Sequence, residues 1–90
     1  MDNNQVSQIA SRLRAFIRER FKVPENDPDF TDDTHLFDYG YVDSFGAVDL
    51  TTFVETAFST KISESDLIAY PLNTIREIAT FVANRINQES

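Results

Sequence analysis

Between residues 4 and 21 the apolar side chains Val6, Ile9, Ala10, Leu13, Phe16, Ile17 and Phe21 recur at steps of three and four. That spacing lines one side of an α-helix, so it predicts an amphipathic helix with this stripe against a core. Pro24 and Pro28 are expected to end it, because neither has an N–H to continue the hydrogen-bond ladder. Residues 22–42 keep no period, yet Phe30, Leu36, Phe37, Tyr39, Tyr41 and Val42 make them too apolar for a free linker. The stretch reads as a long loop pinned to the core by those side chains, and loops of that length in a small domain are often functional.

Helical spacing returns from Ser44 to Phe58. Ala47, Leu50, Val54, Ala57 and Phe58 form a stripe that can face the core, while Phe45, Val48 and Thr52 fall on another side with Asp49 and Glu55 beside them. Asp43 is suited to the N-cap, its carboxylate accepting from the first free amides. Ser63-Glu64-Ser65-Asp66 opens a short third helix that Tyr70-Pro71 ends. Thr74-Ile75-Arg76-Glu77 has the form of a capping box and opens a fourth, with Ile75, Ile78, Ala79, Val82 and Ile86 as its stripe. No alternation of period two persists and no internal repeat is visible. The pattern predicts an all-α fold: a small four-helix bundle of three longer helices and one short one, with a long loop between helices 1 and 2.

At 90 residues the chain fits a single domain, 1–90, with no room for a catalytic domain beside a substrate domain. Without cysteine it has no disulfide, thiolate metal site or cysteine nucleophile. No apolar run approaches the roughly 18 residues of a membrane span, and MDNNQVSQ has no apolar leader segment. A cytoplasmic, monomeric protein without stable membrane insertion is expected. Its formal net charge is −7, unevenly placed: residues 23–66 carry eleven acids and one base. Such a stretch repels phosphate backbones, which argues against a nucleic-acid partner. Arg12, Arg14, Arg18, Arg20 and Lys22 read as a solvated basic helix face that offsets the acidic body.

Catalytic readings fare poorly. A Ser-His-Asp site would need His35, the one histidine, and Ser44 lies between Val42-Asp43 and Phe45-Gly46 rather than in G-x-S-x-G. Paired-carboxylate chemistry needs a cleft that so small a bundle rarely supplies. Asp27, Asp29, Thr31, Asp33, His35 and Asp38 fit positions 1, 3, 5, 7, 9 and 12 of an EF-hand-like frame, but Asp32 stands where glycine is needed and the twelfth position is not glutamate. A solvated acidic loop accounts for them. Ser44 is different. A hydroxyl at the start of a helix meets free amides and the positive end of the helix dipole, which suit it to carry a phosphodiester. The same Asp-Ser pair also reads as a plain helix cap.

The wider pattern Leu36-Phe37-x-x-Gly40-x-x-Asp43-Ser44-Phe45-x-x-Val48-x-Leu50, followed by Glu55, Phe58 and Ile62, resembles the acyl carrier protein family. Helix 1 and the last helix agree in length and position, so the resemblance spans essentially the whole chain. It implies that Ser44 carries 4′-phosphopantetheine, installed from coenzyme A by a phosphopantetheinyl transferase, and that Asp43 assists that Mg²⁺-dependent step. Phe45 replaces the common leucine. The resemblance also implies a non-catalytic carrier of thioester-bound acyl groups, served by an acyl- or aminoacyl-loading ligase or transferase and by downstream acyl-processing enzymes. Phe45, Val48, Asp49, Thr52 and Glu55 are then the expected partner face, with the acids steering basic surfaces. Thr51, Thr52 and Thr56 stand where fatty-acid-synthesis carriers are denser in acid, and the Gly-x-x-Asp-Ser-Phe form is also similar to D-alanyl and aminoacyl or peptidyl carriers. Fatty-acyl or polyketide-type cargo and amino-acid cargo therefore both stand. The rival of another class is an unmodified helical adaptor.

Overall fold

The stripe of residues 4–21 is carried by a helix, as its spacing demands. The computed structural model describes residues 3–89 and contains α1 (Asn3–Arg20), α2 (Ser44–Ala57), α3 (Glu64–Ala69) and α4 (Ile75–Glu89), with no strand among them. This is the expected small helical bundle. Ile9, Ala10, Leu13 and Ile17 of α1 are buried with Ile75, Ile78, Ala79 and Val82 of α4, and these two helices make the principal helix–helix contact. Leu50 and Val54 of α2 close the core. Leu13, Ile17, Leu36, Val42, Val54, Ile75 and Val82 are fully buried. Each contributes about 1.5–3 kcal/mol of burial, and Leu36 and Val42 belong to the loop, which is why it holds a shape.

α1 stops before either proline. Lys22 takes a left-handed conformation (φ 59°) and the Val23 N–H donates to the Arg18 carbonyl at 3.0 Å, a Schellman ending made without glycine. α2 ends in the same way: Ser59 has φ 52° and the Thr60 N–H reaches the Glu55 carbonyl at 3.2 Å. The starts follow the sequence more closely. Ser63 and Asp66 cap α3 reciprocally, and Thr74 and Glu77 do so for α4 through bonds of 3.0 and 3.1 Å.

The loop from Phe21 to Asp43 is pinned by Phe30, Leu36 and Val42, with Tyr41 half-buried against the Phe30 ring and its hydroxyl donating to Asp27 at 2.8 Å. Tyr39 does not pin it, being 64% exposed; Phe37, 36% exposed, lines a cavity beside Leu50 and Ile78 instead of joining the buried core. Nor is the loop's acidity simply solvated. Arg14 of α1 grips both carboxylate oxygens of Asp32 at 2.7 and 2.8 Å, and Arg76 of α4 pairs with Asp33. The other arginines of α1 are similarly engaged: Arg12 lies over the Phe58 ring, Arg18 over Phe30, and Arg20 pairs with Asp49. The basic face is solvent-exposed at Arg12, Arg20 and Lys22, as its sequence implies, and its four arginines are in addition attached to the acidic middle of the chain.

Candidate functional site

Leu36 organises the approach to α2. Its carbonyl accepts from the N–H groups of Tyr41 and Val42 at 3.0 and 3.1 Å, and its own N–H donates to the Asn73 carbonyl at 2.9 Å. The loop end is thereby tied to the α3–α4 connection. Gly40 turns the chain with φ +79°, a region other residues enter at a cost. His35 builds this turn: its Nδ1 accepts from the Asp38 N–H at 3.0 Å and its carbonyl from the Tyr39 N–H at 3.1 Å.

Asp43 then caps α2, extended at φ −100° and ψ −172°, with its Oδ1 accepting from the Gly46 N–H at 2.7 Å. The Ala47 N–H donates to the Asp43 carbonyl at 2.8 Å, the first bond of the helix ladder. Ser44 is the first helical residue and is exposed. Its own amide and that of Phe45 precede the ladder, so the positive end of the helix lies beside its hydroxyl. Gly46 is buried here because Phe21, at the end of α1, packs where its side chain would be. Sequence reasoning passed over this pair; the available signal was a glycine inside an otherwise helical stripe.

Phe45 is 85% exposed and Val48 65%, with Thr52 exposed between them. Asp49 and Glu55 flank that face on opposite sides, about 120° apart around the helix at 100° per residue. Each is occupied within the molecule. Asp49 Oδ2 accepts from Arg20 at 2.7 and 3.1 Å, and Glu55 Oε2 accepts from the Ile62 N–H at 2.8 Å, holding the entry to α3. Asp43, Asp49 and Glu55 thus form no continuous acidic side of α2.

A cavity of about 350 Å³ lies between α2 and α3. Ala47, Val48, Leu50, Thr51 and Val54 of α2 wall it on one side, Ile62, Leu67 and Leu72 on the other, with Phe37 and Ile78 completing it. All its lining residues are apolar or threonine. Ser44 stands one helical turn before Ala47 and Val48, so the hydroxyl and the cavity share a side of α2. A further groove, about 390 Å³, runs along α4 from Tyr70 to Gln88 and includes no residue of α2.

Among the described residues no hydrogen bond joins the Ser44 hydroxyl to a base, and His35, the one histidine, is spent on a turn. In the Asp27–Asp38 segment, Asp27 accepts from Tyr41, Asp32 pairs with Arg14, Asp33 with Arg76, and Asp38 lies 3.7 Å from His35, and no group of acids among the described residues could hold a metal ion. Comparison with protein families finds that residues 11–82 match the model described as a phosphopantetheine attachment site. No curated protein and no solved structure matches the chain.

Proposed function

Since the chain belongs to the phosphopantetheine-attachment family of acyl-carrier-type domains, we propose that Ser44 is its attachment residue and that residues 1–90 act as one carrier domain. The observation that carries this is the exposed hydroxyl at the capped start of α2, with an apolar cavity opening on the same side. The residues fit the group: Ser44 and Phe45 are the first two residues of α2, whose amides have no partner within the helix and could donate to a phosphodiester on Oγ, and Asp43 caps the turn through the Gly46 N–H. When attached, 4′-phosphopantetheine supplies the thiol that a cysteine-free chain lacks.

The domain itself catalyses nothing in this reading. It is the substrate of a phosphopantetheinyl transferase acting with coenzyme A and Mg²⁺, then of an acyl-loading ligase or transferase and of downstream acyl-processing enzymes. It works as a monomer in the cytoplasm; no described helix is long and apolar enough to cross a membrane. Phe45, Val48 and Thr52 offer these enzymes contact area next to Ser44, with Asp49 and Glu55 at the margins. The uncharged cavity favours a fatty-acyl or polyketide-type chain over an aminoacyl group, since an ammonium enclosed there would find no counter-charge.

Incubation with coenzyme A, Mg²⁺ and a broad-specificity phosphopantetheinyl transferase tests the site by intact-protein mass. The expected result is a gain of one phosphopantetheine, absent in Ser44→Ala. A folded wild-type protein that gains nothing, or a variant that still gains it, overturns the assignment.

A further inference from the structure

α3 stands apart from the other helices in how it is held. None of its residues is buried, and Ile68 is 88% exposed. Its attachment runs instead through one side chain of α4. Arg85 donates to both carboxylate oxygens of Asp66, at 2.9 and 3.3 Å, and to the Lys61 carbonyl at 3.2 Å, while its guanidinium lies over the Phe81 ring at 4.8 Å. Tyr70 packs on the same Phe81. The guanidinium and the capping bonds hold the Asp66 carboxyl down at about 2, so the pair is charged across the working pH range.

Both ends of this segment also have hydrogen bonds that do not involve Arg85. Glu55 fixes Thr60 and Ile62 on the entry side, and the Leu36–Asn73 bond fixes the exit. Between these anchors, Leu67 is the part of α3 that closes the cavity against α2.

We propose that Arg85 is a positioning residue: its paired bonds to Asp66 latch α3 to α4 and so set where Leu67 closes the apolar cavity. That the cavity receives cargo rests on the carrier reading; the latch does not.

The test therefore uses the unmodified protein. Hydrogen exchange is followed helix by helix in wild type, Arg85→Met, Arg85→Lys and Asp66→Asn, with 1-anilinonaphthalene-8-sulfonate as a probe of the cavity. Met keeps the packing on Phe81 without the fork, and Asn keeps a capping acceptor without the charge. In Arg85→Met and Asp66→Asn, amides of residues 64–70 should exchange at least about tenfold faster while those of α1 and α4 keep wild-type rates, and probe fluorescence should rise. Arg85→Lys should restore part of the protection, since it returns the charge without the paired geometry. Exchange in α3 within twofold of wild type overturns the latch. So does acceleration of all helices together, which would make Arg85 a contributor to global stability only. Should Arg85→Met not fold, Asp66→Asn carries the same comparison. Because Ser44 is unmodified throughout, failure here and failure of the mass-gain test are separate results.

Discussion

Gly46 lets the end of α1 reach the start of α2. A Cβ there would stand 2.7 Å from Phe21 Cε1, 3.0 Å from Cζ and 3.2 Å from Val42 Cγ1. Gly46→Ala is therefore expected to destabilise the fold by about 1–3 kcal/mol, read from urea unfolding. Adding Phe21→Leu should recover part of the loss, because the ring is the nearest obstacle. An unchanged midpoint in the single variant would show that Phe21 swings aside freely. Asp43 and Ser44 were legible in the sequence because capping is local chemistry, written in adjacent residues. Gly46 was not, since its reason lies in a side chain brought close only by packing. Asp49 and Glu55 show the same divide: their charge was visible, but Arg20 and the Ile62 amide, which occupy them, come from other elements.

At the scale of elements, helix starts were readable, and so was the end of α3 at Tyr70-Pro71; the left-handed turns that close α1 and α2 were not. Ser63 with Asp66, and Thr74 with Glu77, announce α3 and α4 by spacing alone. α1 and α2 end at Lys22 and Ser59, ordinary residues in the left-handed region, and nothing in their identity marks them. Holding a non-glycine there costs about 1–2 kcal/mol, against the 0.5–1 kcal/mol of extra chain entropy that glycine surrenders on folding. Ser59→Gly should thus raise stability by up to about 1 kcal/mol, with a higher midpoint of thermal unfolding; a lower midpoint would contradict the assigned conformation. Phe53 was missed for a related reason. It lies outside the stripe that faces the core, yet stacks on Phe16 of α1 at 4.2 Å, so α2 carries a second packed edge.

Across the whole molecule, charge segregation along the chain becomes attachment in space. The −10 middle segment is drawn onto α1 and α4 through Arg14, Arg20, Arg76 and Arg85, which no periodicity analysis reveals because the partners are far apart in sequence. Tyr41 closes the loop on itself, and burial, then the hydrogen bond to Asp27, pushes its hydroxyl up to about 12. The fold favours the neutral phenol, so this contribution is complete below pH 10 and is lost as pH rises through about 12. Phenolate absorbance should show a late step near pH 12 that Tyr41→Phe removes. A titration without that step would place the Tyr41 hydroxyl in solvent. The pairing of α1 with α4 also sets an order of events in synthesis. α1 precedes its main partner α4 in the chain, so on the ribosome its stripe stays uncovered until residues 75–89 have emerged. Phe21, which follows α1 and packs on Gly46 two residues after Ser44, is held in place only then, so the modification proposed at Ser44 would meet a finished platform only in chains whose translation has passed α4.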